Sequence, residues 1–271
     1  MSKNKLSKFA EVHALSNVVE VPYEELQKGA YELSGNWNSR FFGNDHPIVL
    51  ELGCGKGEYT VGLAENYPGK NFIGIDIKGA RIWTGATFAH EKGLKNAAFL
   101  RTYVELLPLF FTPGEVSEIW ITFPDPQMKK PRKRLTSVKL LALYGEVMKT
   151  GGVVHLKTDS NFLFQYTSAL VHLNGFTVEA ETDDLYGSEY AGDTMGIKTY
   201  YEEQWLGRGF KIKYIRFKPH FDNLQEPDLE LEWDEYRSFG RNQRSPVVGK
   251  KEDGATGRRD VGTTLCGRPD E

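Results

Sequence analysis

The sequence predicts an α/β protein: a seven-stranded, mostly parallel sheet covered by helices on both faces, with its last strand antiparallel. Three observations predict it. Short β-branched runs alternate with helix-period stretches from residue 48 to 217. A glycine-rich turn follows the first run. Carboxylates recur where successive runs end. Strand candidates are 48–52, 71–76, 97–100, 117–123, 151–157, 175–180 and 211–217, and helical patterns fill 57–67, 78–93, 136–149 and 160–174. In the last helix Phe162, Tyr166 and Leu170 recur every fourth residue, with Asp159 or Ser160 as cap and Gly175 as stop. The final run follows a strand and a long loop rather than a crossover helix. It is therefore expected to enter antiparallel beside the sixth.

The first run, Ile48-Val49-Leu50, leads into Glu51-Leu52-Gly53-Cys54-Gly55-Lys56-Gly57. This reads as a strand, a turn bare of side chains and a helix start, so a ligand can lie against the backbone at the strand's carboxyl edge. A dinucleotide fingerprint needs Gly-x-Gly-x-x-Gly. Here the sixth position is Glu58, a carboxylate aimed where a pyrophosphate would sit, which argues against NAD and FAD. An acid ahead of alternating glycines suits a cationic, non-phosphorylated ligand, and S-adenosyl-L-methionine (SAM) fits. The second run, Asn71 to Ile75, ends at Asp76, 19 residues past Gly57 and near the roughly 20-residue offset of a ribose-binding acid. Asp76 supports a nucleoside without choosing among nucleoside ligands.

The fourth run ends in Phe123-Pro124-Asp125-Pro126-Gln127. Proline fixes φ and biases its predecessor toward extended backbone, so Asp125 sits on a stiff loop. Five of the six residues from Lys129 to Arg134 are basic, although the whole chain carries a net charge of −3. A basic run is usually a solvated face. Directly after a rigid acid-bearing loop, it reads as a track for a polyanion, with nucleic acid favoured. Thr158-Asp159 and Thr199-Tyr200-Tyr201-Glu202 are weaker signals. Each is also an ordinary helix-capping pattern.

Composition bounds the rest. A chain of 271 residues, 39% hydrophobic, buries one substantial core. No apolar run approaches a membrane span, and the N-terminus lacks a signal peptide's apolar stretch. Cys54 and Cys266 imply no disulfide framework, and no His/Cys spacing suggests a metal. A cytoplasmic protein without metal is expected. Residues 1–46 read as an N-terminal basic arm, 47–221 as the catalytic domain, and 222–271 as an acidic, then glycine-rich, disordered tail.

Together, Glu51-x-Gly53-x-Gly55-x-Gly57, the strand ending at Asp76, Phe123-Pro124-Asp125-Pro126 with its basic follower, Thr158-Asp159 and Thr199-x-Tyr201-Glu202 resemble the tRNA (guanine-N7)-methyltransferases of the TrmB type. The resemblance covers residues 45–217. It implies a Rossmann-like class I SAM-dependent methyltransferase fold, and transfer of a methyl from SAM to N7 of guanine 46 in the tRNA variable loop. It also implies roles for residues. Glu51, Gly53, Gly55, Gly57, Asp76 and Asp125 would hold SAM, with Asp125 also catalytic. Lys129, Arg132, Lys133, Arg134, Asp159, Thr199 and Glu202 would hold the RNA. The chain departs from the family pattern in places. Gln127 replaces a usual tryptophan, Asp76 a usual glutamate, and Arg101-Thr102 a usual acid, which makes Thr102 the substitute adenine contact. The family usually ends near residue 220. Other readings are a SAM enzyme with a different substrate, a non-catalytic RNA-binding relative and, least favoured, a nicotinamide oxidoreductase. Monomer and homodimer both remain open.

Overall fold

The computed structural model describes residues 3–194 and 196–235. The elements run α1 (Lys3–Val12), β1 (Val18–Glu20), α2 (Tyr23–Leu26), a π-helical turn (Trp37–Phe42), β2 (Ile48–Leu52), α3 (Glu58–Asn66), β3 (Asn71–Ile75), α4 (Gly79–Glu91), β4 (Ala97–Arg101), α5 (Leu107–Phe110) and β5 (Val116–Thr122). They continue with α6 (Val138–Gly145), β6 (Met148–Thr158), α7 (Asn161–Leu173), β7 (Thr177–Thr182), α8 (Tyr200–Leu206) and β8 (Lys213–Lys218).

The sheet has eight strands in the order β1-β4-β3-β2-β5-β6-β8-β7. It is parallel from β1 to β6, and β8 lies antiparallel between β6 and β7. Strand order reverses between β2 and β5, which opens a crevice at their carboxyl ends. The period-2 alternation of β2 sorts its side chains. Ile48, Leu50 and Leu52 join the core beneath α5, α6 and α7, whereas Val49 joins the core beneath α3 and α4. Glu51 therefore points toward α3.

The eighth strand, β1, went unread because three residues carry no usable periodicity. It corrects the expectation of an arm over 1–46. Val19, Leu26, Leu33, Trp37 and Phe42 belong to the main core. The Trp37 indole donates to the Phe110 carbonyl at 2.8 Å, and the Asn17 amide to the Ala86 carbonyl at 2.9 Å. β6 also starts earlier than expected, at Met148. It passes through Gly151 at φ 72° beside an irregular register with β5.

The tail expectation is corrected over 222–234. The Asn174 side chain exchanges hydrogen bonds with the Gln225 backbone (2.9 and 2.7 Å), and the Tyr166 hydroxyl donates to Glu226. Asp234 accepts from the Ser160 hydroxyl and from the Phe162 N–H (3.1 Å) at the start of α7. A carboxylate is favourable at a helix N-terminus, so acidity here anchors the segment. The glycine-rich remainder of the expected tail, 236–271, lies outside the described residues. Among the described residues no helix is long and apolar enough to cross a membrane.

Candidate active site

The turn after β2 carries three left-handed glycines: Gly53 (φ 74°), Gly55 (φ 57°) and Gly57 (φ 72°). Their roles differ. A Cβ on Gly53 would meet only Leu135 Cδ1 at 3.8 Å, and one on Gly55 only the Gly53 carbonyl at 4.0 Å. These two positions leave an open cradle. A Cβ on Gly57 would lie 2.5 Å from the Phe99 ring and 3.3 Å from Gly85 Cα, so Gly57 serves the packing of α3 on α4 and β4.

The two acids flanking this turn are held firmly. Glu51 is buried, and Oε2 accepts from the Thr60 N–H (2.8 Å) and hydroxyl (2.5 Å) while Oε1 accepts from the Thr122 hydroxyl (2.6 Å). Burial raises its pKa to about 7 against the opposing pull of those hydrogen bonds. Both oxygens are thus engaged inside the protein, and Glu51 locks β2, β5 and α3 under the turn. Asp76 faces the turn from β3. Its Oδ2 accepts from the Gly55 N–H at 3.0 Å, and its Oδ1 from the Lys78 N–H at 2.8 Å.

Beyond Asp76 lies a cavity of about 490 Å³ lined by Ile77, Arg101, Thr102 and Tyr103, with Val21, Pro22 and Tyr23 as a further wall. Thr102 lies in this lining. Ile77 and Tyr103 are exposed apolar side chains that sequence reasoning passed over, although each directly follows a residue it had singled out.

On the other side of the crevice, the proline loop leaves β5. Phe123 and Gln127 both sit at φ 48°, bracketing Pro124-Asp125-Pro126 with left-handed residues. Such a conformation costs roughly 1–2 kcal/mol per non-glycine residue and clusters at functional sites. Pro124 and Pro126 are buried and Asp125 is exposed, its Oδ1 accepting from the Gln127 N–H at 3.0 Å. The loop thus holds one carboxylate outward on a strained, anchored backbone.

The family model described as "Putative methyltransferase" matches residues 45–215. A protein of Bacteroides thetaiotaomicron named tRNA (guanine-N(7)-)-methyltransferase is 55% identical over 252 residues, spanning 93% of this chain and 100% of its own length. A Porphyromonas gingivalis protein of the same name is 57% identical over 238 residues, 86% of this chain and 97% of its own. This chain belongs to the tRNA (guanine-N(7)-)-methyltransferase family. A solved structure titled "Structure of an Antibiotic Related Methyltransferase" matches with a TM-score of 0.51 at 18% identity, over 76% of this chain and 98% of that one. That likeness concerns the fold, which is Rossmann-like.

Within this family member, the expected RNA-side residues separate into two groups. Lys129, Arg132 and Lys133 are exposed beside the proline loop, the last two in a 3-10 turn. Arg134 is not on that track. It is 7% exposed, its guanidinium 4.7 Å from the Phe162 ring and 4.3 Å from the Tyr166 ring, and its Nη2 donates to the Met128 carbonyl at 3.2 Å. The aromatic stripe of α7 draws it inward.

Asp159, Thr199 and Glu202 also lie inward. Asp159 is 1% exposed, and the Lys213 ammonium donates to its backbone carbonyl at 3.2 Å, so it offers no open edge to a base. Thr199 and Glu202 form the capping box of α8. Glu202 is fully buried, 2.9 Å from the Lys157 ammonium, and accepts from the Tyr186 hydroxyl at 2.5 Å. Lys157 also donates to the Ile197 carbonyl at 3.0 Å. Sequence reasoning missed Lys157. Its signal was a lysine inside the apolar end of β6, where an unpaired charge is not tolerated.

Proposed function

We propose that this chain transfers the methyl group of SAM to N7 of a guanine in tRNA, at position 46 of the variable loop, giving 7-methylguanosine. The observation that carries this is 55% identity to a tRNA (guanine-N(7)-)-methyltransferase across 93% of this chain and the whole of that relative. A cytoplasmic setting, where tRNA is processed, goes with it.

The cleft fits SAM. Gly53 and Gly55 leave space that any side chain would fill, Asp76 borders it, and the cavity past Asp76 has apolar walls at Ile77 and Tyr103 beside Thr102. In this reading Asp76 binds the ribose, Thr102 borders the adenine, and Asp125 faces the sulfonium and amino end. Glu51 acts from below by fixing the turn. When bound, SAM supplies an electrophilic methyl group on sulfur.

The chemistry asks this chain for alignment rather than proton removal. Guanine N7 has an in-plane lone pair and no proton at neutral pH. Alignment of two reactants contributes up to about 7–11 kcal/mol in favourable cases. As methylation makes the purine cationic, an outward carboxylate on a preorganised loop stabilises the developing charge, and Asp125 is that group. Turning a guanine out of the tRNA core costs on the order of a few kcal/mol. Lys129, Arg132 and Lys133 offset it through phosphate contacts. Calorimetry and filter binding test the reading. Uptake of SAM, of its demethylated product and of tRNA is expected, and absence of uptake of both SAM and the product by folded protein would end it.

A further inference from the structure

A second cavity, of about 400 Å³, opens between the basic loop, α7 and the segment 227–233. Arg134, Phe162 and Tyr166 form its inner wall, Met128 one side, and Glu230 and Trp233 the outer side. None of its lining comes from the glycine turn, so it is separate from the SAM cradle. Met128 sets it three positions from Asp125. It also lies partly beyond residues 45–215, the span that the family model matches.

The outer wall is built, not draped. Asp234, next to Trp233, is buried and accepts from Ser160 and from the Phe162 N–H at 3.1 Å. Glu226, at the other end of the segment, accepts from the Tyr166 hydroxyl. Between these anchors Trp233 is 51% exposed, with the Lys129 ammonium over its ring, 5.4 Å from the centroid. The buried Arg134 Nε has no hydrogen-bond partner among the described residues.

We propose that this cavity receives an unstacked nucleobase of the RNA substrate, one flanking the methylated guanine. The proposal rests on the tRNA reading above. A half-exposed indole on a segment anchored at both ends is a stacking platform that any base can use. A guanidinium donates to keto oxygens and ring nitrogens, and a carboxylate accepts from amino or imino N–H groups, so Arg134 and Glu230 match the mixed edge of a base. A phosphate in the cavity would meet Glu230 as a like charge. The Lys129 ammonium over the indole suits the phosphate attached to the seated nucleotide.

The test uses the full chain, SAM and tRNA lacking the modification, with Trp233→Ala and Trp233→Phe. Stacking predicts that Trp233→Ala raises KM for tRNA about tenfold while kcat and SAM affinity stay within about twofold, and that Trp233→Phe stays near wild type. Tryptophan emission gives a second readout that does not depend on the alanine variant folding. Quenching on tRNA addition should be larger in the wild type than in Trp233→Phe. An unchanged KM, or equal quenching, overturns the proposal. So does a fall in kcat alone, which would put the reacting base here, or a fall in KM, which would make the segment a competitor of RNA. A wild-type chain that binds SAM but leaves tRNA unmethylated removes the tRNA reading itself, a distinct result.

Discussion

The Lys157 ammonium lies 2.9 Å from the Glu202 carboxylate, and neither side chain reaches solvent. Burial lowers the pKa of Lys157, and the Glu202 charge opposes that shift. The pair ties α8, by its own capping box, to the end of β6. Removing one partner strands a buried charge, at a cost of about 3–5 kcal/mol, whereas an apolar replacement of both is often close to neutral. Glu202→Gln should therefore lower the urea midpoint strongly, and Lys157→Met with Glu202→Leu should recover most of it. A raised KM for tRNA in Glu202→Gln with unchanged stability would restore the substrate role that sequence reasoning assigned to Glu202.

Glu51 makes stability depend on pH. Its pKa in the folded chain, about 7, exceeds the ordinary 4.5, so the folded state holds this proton more tightly than the unfolded chain does. The contribution is full below about 4.5 and is lost as pH rises through about 7, amounting to on the order of 3 kcal/mol. Urea midpoints at mildly acidic and mildly alkaline pH should fall between the two in the wild type and fall less in Glu51→Gln. Equal falls would contradict the assignment.

The glycines should separate by function. Gly57→Ala forces a Cβ to 2.5 Å from Phe99, so overpacking of about 1–3 kcal/mol adds to left-handed strain. Gly55→Ala meets open space and should lose only about 1–2 kcal/mol of stability from strain. Its SAM affinity should nevertheless drop at least tenfold, on the order of 1.4 kcal/mol, because the new methyl fills the cradle. Thermal unfolding and calorimetry on the same two variants check this contrast.

The basic loop should separate too. Removing charge at Arg132 and Lys133 should weaken tRNA binding and flatten its log–log salt slope by roughly 0.9 per lost phosphate contact, if duplex behaviour applies. Arg134→Ala should leave that slope unchanged, since Arg134 meets no phosphate, and should cost about 1–2 kcal/mol of stability from its buried contacts with Phe162 and Tyr166. An unchanged slope for the Arg132 and Lys133 pair would make that turn a solvated face.

The seven strands from β2 to β8 and the helices α3, α4, α6 and α7 were legible because each buries a face with a clear period, whereas the short α5 and α8 were not; the ligand-side acids were legible because strand ends in a parallel sheet share one edge. Partners were not legible. Sequence shows that Thr199 and Glu202 can form a capping box, but not that Lys157, some forty residues earlier, waits beneath it. Arg134 looks like Lys133 in the sequence and differs only because α7 aims two rings at it. The segment 222–234 looked too acidic to order. Its order depends on the start of α7 and on Tyr166, which composition cannot supply.

The central claim is methyl transfer to guanine N7 by the Asp125 loop, and one measurement meets it directly. Labelled methyl from SAM is followed onto tRNA that lacks the modification, and the labelled nucleoside is identified and located, with Asp125→Ala run in parallel. The expected result is 7-methylguanosine at the variable-loop guanine, sharply reduced in a variant that still unfolds cooperatively. Label on another atom or another class of molecule, or undiminished transfer by Asp125→Ala, would contradict it.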